Sequence, residues 1–134
     1  PSTRKFLVRR VREVVESISI SMGGESEVRF YEGYPCLVND NEMTGLVRET
    51  SLDVLGPGSI SGLESPSMGV DDFAYFLERI PGCYFMLGVG DPLWEDTYPL
   101  HNPRFRIDEK ALAPASALLA GVCISSLEKI RCNM

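Results

Sequence analysis

The sequence contains a single histidine in 134 residues and lacks the short motifs that would build an active site around it. It has no H-E-x-x-H or H-x-H zinc pattern, no calcium-binding loop, no G-x-S-x-G nucleophile elbow and no phosphate-binding P-loop. A metal centre needs three or more converging ligands, and no carboxylate stands at a recognised ligand spacing from His101. Motif spacing therefore excludes a complete catalytic site within these residues.

Closely spaced cysteines are also absent. The four cysteines form no C-x-x-C pair, which excludes a zinc ribbon and a thioredoxin-type motif. Cys83 and Cys123 lie in apolar stretches, so we predict buried thiols rather than disulfides. This usage indicates a reducing compartment, and we expect a cytoplasmic protein.

Basic charge and long apolar runs are scarce. The net charge is −6, so we expect no nucleic-acid partner, because phosphate backbones attract basic surfaces. No uninterrupted apolar run approaches the roughly 20 residues of a membrane-spanning helix, so we expect no membrane span. The first residues are basic without the apolar core of a secretion signal, and we expect none. With 44% hydrophobic residues, the sequence has instead the composition of a folded domain.

Apolar residues recur at helical spacing in four stretches. Residues 3–22 carry an apolar face of one amphipathic helix, which Gly23-Gly24 ends. A second helix is predicted over residues 41–55, with Asp40 as its N-cap and Gly56 as its end.

The two remaining helices lie further along the chain. Residues 71–80 predict a short helix closed by Pro81. The last helix is predicted from about Asp108 to Arg131, with Pro114 as a kink or a second start inside it.

Two stretches indicate β-strands. Residues 27–31 alternate between polar and apolar side chains, as a half-buried strand does, and residues 83–89 are apolar throughout, like a central parallel strand. This mixture indicates an α/β fold, yet so few strands cannot form a complete sheet. A change of composition at residues 32–40 divides the sequence into two partial units. We expect the aromatic side chains near the second strand to form a core; they are Tyr75, Phe76, Tyr84 and Phe85.

Two positions have structural and functional interpretations that the residues alone leave open. His101 lies in a long loop, where it either caps a carbonyl or packs on an aromatic ring, or serves as a metal ligand or general base. In the stretch MGVDDF, either Asp71 or Asp72 caps the next helix, or the stretch forms a turn whose N–H groups face the carboxylate of a ligand.

Four stretches in series resemble the C-terminal third of the metal-dependent amidohydrolases. They are PSTRKFLVRRVREV, YEGYPCLVND, MGVDDFAYFLERIPGCYFMLGVG and LHNPRFRIDEKALAPASALLAG. The resemblance is to the aminoacylase, hippurate hydrolase and auxin-conjugate hydrolase group within the aminoacylase/carboxypeptidase metallopeptidase family. It implies part of a two-domain α/β metallohydrolase. Residues 1–37 would end a ferredoxin-like lid and dimerisation domain, and residues 38–134 would form the C-terminal part of the catalytic α/β sandwich.

The resemblance also implies a site. Members hold two divalent metal ions, Zn²⁺ or Mn²⁺, and the family's LH-x-P-x-F motif makes His101 a metal ligand. The other ligands and the general-base glutamate would lie upstream, so no catalytic residue is expected within this chain. Asn39, Met68, Gly69 and Asp71 are the candidate substrate contacts, although Asn39 could instead cap the helix at residue 41. The family usually has Glu-Asp-Phe where this sequence has Asp71-Asp72-Phe73, which puts the Asp71 contact in doubt.

The implied reaction is cleavage of the amide bond of N-acyl amino acids, or of small peptides, by a metal-activated water. A homodimer through the lid domain is implied as well. Because most of the site would lie outside these residues, we expect the 134-residue chain alone to be inactive and to need the N-terminal part of the same protein. The alternative is a freestanding, non-catalytic α/β module for ligand binding or dimerisation.

Overall fold

The computed structural model describes residues 2–132, and it divides into two compact units. One unit comprises Pro1–Val38 and Gly69–Arg79, and the other comprises Asn39–Met68 and Ile80–Met134. The described residues form helices α1 Ser2–Ser21, α2 Asn41–Leu55, α3 Phe73–Leu77 and α4 Leu112–Cys132, and a 3-10 turn Glu109–Ala111 that leads into α4.

The two predicted strands are wrong for the described part of the chain, which contains helices and no β-strand. A strand exists only as one member of a hydrogen-bonded ladder, and residues 27–31 and 83–89 have no second strand beside them. These residues therefore have the sequence pattern of strands, but the described part of the chain contains no second strand that could pair with them to form a sheet. The domain boundary predicted after residue 37 stays a prediction.

In the first unit, α1 forms where the apolar spacing predicts it. Its C-terminus closes in a Schellman arrangement: Gly23 has φ 74°, and the Gly24 N–H donates to the Ser19 carbonyl at 2.9 Å. No residue of α1 is buried, so its apolar stripe, which includes Leu7, Val11 and Ile18, is exposed along its length. An amphipathic helix gains most of its stability from packing of its apolar face, and among the described residues no element buries this face of α1.

In the second unit, α2 matches its predicted bounds and caps. The Asp40 carboxylate accepts a hydrogen bond from the Met43 N–H at 2.9 Å, and Gly56 follows the helix with φ 85°. Such a cap contributes about 1 kcal/mol. The last helix also confirms its prediction, except that a 3-10 turn precedes it. Pro114 lies in the first turn of α4, where a missing N–H costs nothing.

Helices α2 and α4 pack against each other in antiparallel fashion. Lys129 near the end of α4 pairs with Glu42 at the start of α2 at 2.7 Å, and the Thr50 and Ser125 hydroxyls lie 3.3 Å apart. Val47 and Leu118 are buried. A Cβ built on Gly121 would lie 2.9 Å from the Thr50 Cγ2 methyl, so the two backbones approach as closely as a glycine allows.

The expected aromatic core is wrong for this structure. Tyr75 is 51% exposed and Phe76 59% exposed, while Tyr84 is exposed and Phe85 is half-buried. Among residues 2–132, the buried apolar side chains are Val47, Ala74 and Leu118 alone. No sheet or helix layer covers these aromatic side chains, because the extended segments beside them do not pair into a sheet.

The prediction that the thiols of Cys83 and Cys123 are buried is also wrong. All four cysteines are free, but Cys123 is exposed on α4 and Cys83 is half-buried beside the side chains of Asn39 and Thr44. A thiol in an apolar sequence stretch is buried only if another element covers that stretch, and none of the described residues covers Cys123.

One helical stretch bears on the expectation that the chain has no membrane span. The helical stretch Glu109–Cys132 is long and apolar enough to cross a membrane by length and composition. Core helices of water-soluble domains pass the same test, and this one packs on α2 through Leu118. We therefore interpret α4 as a packing helix whose outer face is uncovered in this chain.

The close approach of α2 and α4 generates a stability prediction with a matched control. We expect Gly121→Ala to lower the free energy of unfolding by about 1–2 kcal/mol, because the methyl group overlaps Thr50 and Val54 by more than helix propensity returns. Gly45→Ala, in α2 with no atom within 4 Å of the added methyl, should raise it by about 0.5–1 kcal/mol. Urea unfolding followed by circular dichroism measures both, and a Gly121→Ala protein as stable as Gly45→Ala would contradict the packing.

Candidate functional site

The histidine lies at the far end of a self-contained loop, which we call the His101 loop and define as residues 89–108. The loop is closed at its base by the Asp108 N–H, which donates to the Val89 carbonyl at 2.7 Å. The Asp108 carboxylate accepts from the Lys110 N–H at 3.0 Å and so caps the 3-10 turn that leads into α4. One residue thus ends the loop and begins the helix.

Each arm of the loop contains an Asx-Pro turn. In DPLW, the Asp91 carboxylate accepts from the Leu93 N–H at 2.9 Å, and its carbonyl accepts from the Trp94 N–H at 3.0 Å. In NPRF, the Asn102 side-chain oxygen accepts from the Arg104 N–H at 2.8 Å, and its carbonyl accepts from the Phe105 N–H at 2.9 Å. Proline presets the φ of the second turn residue, and the Asx side chain binds the backbone two residues on. The same local chemistry therefore stiffens both arms.

His101 itself occupies a strained backbone position. The Asn102 N–H donates to the Pro99 carbonyl at 3.2 Å, which closes a β-turn with His101 as its third residue. His101 has φ 69°, the sign that a type II turn requires at that position, and it is the one non-glycine residue with positive φ among those described. This conformation costs an L-residue about 1–2 kcal/mol. The imidazole is exposed, and within the described part of the chain it makes no hydrogen bond or ion pair.

Two arginine–aromatic pairs connect the arms of the loop. The Arg106 guanidinium lies 4.0 Å from the centre of the Trp94 ring. The Arg104 guanidinium lies 5.6 Å from the centre of the Tyr98 ring, and its Nη1 donates to the Tyr98 hydroxyl at 3.2 Å. Each pair joins a residue before His101 to a residue after it.

The described residues do not form a metal centre by themselves. No group of three or more His, Cys, Asp or Glu side chains converges closely enough to hold a metal ion within residues 2–132. A protein metal site needs at least three such donors, so His101 could contribute only one ligand to a site completed by other residues.

Asn39 is engaged with the backbone of Tyr84. Its side-chain oxygen accepts from the Tyr84 N–H and its side-chain nitrogen donates to the Tyr84 carbonyl, both at 2.8 Å. The neighbouring Asp40 N–H donates to the Gly82 carbonyl at 2.9 Å. The helix that begins at residue 41 is capped by Asp40, so the interpretation of Asn39 as its cap is wrong. The Asn39 side-chain amide instead bonds the N–H and carbonyl of Tyr84 in the way that the backbone of a neighbouring strand would.

The other proposed substrate contacts are divided between the two units. Met68 belongs to the second unit and is 96% exposed, whereas Gly69 and Asp71 belong to the first. The Asp71 carboxylate accepts from the Phe73 N–H at 2.8 Å, and its carbonyl accepts from the Ala74 N–H at 3.2 Å, so Asp71 bonds the first turn of α3, whose N-cap residue Asp72 makes no side-chain cap hydrogen bond. Whether these residues contact a substrate stays a prediction.

The paired turns and the arginine–aromatic contacts are features that our sequence interpretation missed. The signal was present, because Asp-Pro and Asn-Pro dipeptides favour turn initiation and each is followed two residues later by an aromatic residue. The contacts between the arms had no comparable signal, since they depend on how the two turns face each other.

Comparison with known proteins assigns these residues to a family of hydrolases. Residues 7–125 match the model of peptidase family M20/M25/M40. The chain is 33% identical to a putative amidohydrolase, YhaA, of Bacillus subtilis over 92% of its length, and 37% identical to an N-acetyl-L-cysteine deacetylase of the same organism over 87%. It is 38% identical to thermostable carboxypeptidase 2 of Saccharolobus solfataricus over 82% of its length.

The aligned part is a minor share of each relative. The chain spans 31%, 26% and 28% of the lengths of these three proteins, respectively. No solved structure matches the chain.

The contacts of Asn39 generate a prediction that separates a structural role from a substrate contact. We expect Asn39→Ala to lower the free energy of unfolding by about 1–3 kcal/mol, because it removes two hydrogen bonds to the backbone of Tyr84. Asn41→Ala, an exposed change two residues away, should alter it by less than about 0.5 kcal/mol. Unfolding midpoints measure both. An unchanged stability in Asn39→Ala, combined with weaker substrate binding by the whole protein, would assign the side chain to the substrate instead.

Proposed function

Because the chain belongs to peptidase family M20/M25/M40, we propose that it is the C-terminal part of a metal-dependent amidohydrolase that cleaves N-acyl amino acids. Members of the family are metal-dependent hydrolases and peptidases with an α/β fold. The name of one relative, an N-acetyl-L-cysteine deacetylase, supports removal of an acyl group, and the name of another, a carboxypeptidase, supports small peptides as the alternative substrates. The observation that carries the proposal is the exposed imidazole of His101, presented by a stiffened turn within the matched residues.

We propose that His101 supplies one ligand to a metal site whose other ligands, and whose general-base glutamate, come from residues outside this chain. A bound divalent ion lowers the pKa of a water molecule and polarises the amide carbonyl of the substrate. The role of this chain is to hold the imidazole ring in place at the end of the His101 loop. A ligand whose backbone is already fixed loses less conformational freedom when it binds.

The remaining proposals concern substrate, partners and location. Asn39, Met68, Gly69 and Asp71 are proposed contacts for the amino-acid part of the substrate, and Zn²⁺ or Mn²⁺ is the proposed metal. The exposed apolar stripe of α1 supports a homodimer through residues 1–37. The cytoplasmic location stays a prediction.

The whole protein provides the first test. We expect it to hydrolyse N-acetyl amino acids, to lose activity when a chelator removes divalent ions, and to regain it with Zn²⁺ or Mn²⁺. His101→Asn keeps a residue that tolerates positive φ but removes the imidazole, and it should lower kcat/KM by about 100-fold or more. Glu128→Gln, an exposed change on α4, is the control and should leave kcat/KM within about twofold. Full activity in His101→Asn would refute the ligand assignment.

The 134-residue chain alone provides the second test. We expect no detectable hydrolysis of N-acetyl amino acids with added Zn²⁺ or Mn²⁺, because its described residues bring no three metal-binding side chains together. Metal-dependent hydrolysis by the chain alone would overturn the proposal of an incomplete site. A chain that stays monomeric and binds an N-acyl amino acid without metal, as measured by calorimetry, would favour the freestanding binding module.

A further inference from the structure

We propose that Trp94 with Arg106, and Tyr98 with Arg104, are positioning residues that hold His101 in its ligand-bearing conformation. The inference rests on the proposed role of His101 as a metal ligand. It extends that role to four side chains that would not touch the metal or the substrate.

The first argument is the arrangement of the contacts along the loop. Besides the Pro99–Asn102 turn, three contacts join the arms: Val89 with Asp108 at the base, Trp94 with Arg106 next, and Tyr98 with Arg104 furthest out. They are nested, and the outermost pair lies three residues before and three residues after His101. The two arms of the loop are therefore held together at successive positions from its base to His101.

The second argument is that the hydrogen bonds of Asp91 and Asn102 do not hold the two arms of the loop together. The bonds from Asp91 and Asn102 are local, because each joins residues two or three apart and stiffens only its own turn. Apart from the base contact and the Pro99–Asn102 turn, the arginine–aromatic pairs are the described contacts that fix one arm against the other. Neither Arg104 nor Arg106 forms an ion pair with a carboxylate among residues 2–132, so each guanidinium is committed to its ring.

The third argument is the backbone of His101. A histidine at φ 69° relaxes toward negative φ unless its surroundings hold it. Loss of the contacts between the arms would let the Pro99–Asn102 turn open and displace the imidazole. A misplaced ligand weakens metal binding even when the protein remains folded.

The test is the Zn²⁺ affinity of the whole protein, measured by competition with a chromogenic chelator. We expect Trp94→Leu and Arg106→Met each to weaken Zn²⁺ binding about 3- to 30-fold, the range for loss of one cation–π contact, with the melting temperature of the apoprotein changed little. Trp94→Phe keeps an aromatic face and should restore most of the affinity. Tyr98→Phe, which removes only the hydroxyl, should give the smallest loss.

Two reference variants make the outcomes distinct. Arg9→Met removes a guanidinium that lies 5.8 Å from the Phe6 ring centre in α1, a contact of the same kind outside the loop, and should leave Zn²⁺ affinity unchanged. His101→Asn should weaken binding more than any other variant. If His101→Asn binds Zn²⁺ normally, the ligand assignment fails and the positioning role fails with it. If only His101→Asn weakens binding while Trp94→Leu and Arg106→Met do not, the ligand assignment stands and the positioning role is refuted.

Discussion

Two aspartates at helix starts hold the second unit together, because each makes a cap and a tether at once. Asp40 caps α2 with its carboxylate while its N–H binds the Gly82 carbonyl, and Asp108 caps the 3-10 turn before α4 while its N–H binds the Val89 carbonyl. The apolar segment between residues 82 and 89 is therefore fixed at both ends to the helix pair. Because the His101 loop begins where that segment ends, its position depends on the packing of α2 against α4.

The sequence predicted those features that a helix determines locally. The bounds of α2 and its Asp40 cap follow from apolar spacing and side-chain chemistry within a few residues, and the structure confirms them. The strands and the aromatic core could not be predicted in the same way, because strand pairing and burial depend on residues distant in sequence. Residues 83–89 have the composition of a central strand, but composition does not supply the neighbouring strands, and the chain spans under a third of its relatives.

The candidate site likewise combines local features that the sequence predicts with features that depend on residues distant in the chain. The single histidine and its proline-rich surroundings were visible in the sequence, and the two Asx-Pro turns could have been found there. The positive φ of His101 and the contacts of Arg104 and Arg106 emerge only when the two arms of the loop are brought face to face. No three metal-binding side chains converge within the described residues, so our proposal for His101 takes the other ligands from residues outside this chain.

The contact at Gly121 has a consequence for how this sequence can change. Since the space above Gly121 is filled by the methyl group of Thr50, neither position can gain volume unless the other gives it up. The two positions, 71 residues apart, are therefore coupled: an alanine at position 121 needs a smaller residue such as serine at position 50 together with a shift of the Val54 side chain, whose methyl lies 3.1 Å from the added carbon. Natural variants of this helix pair should be found in such combinations, with a large residue at one position matched by a small one at the other.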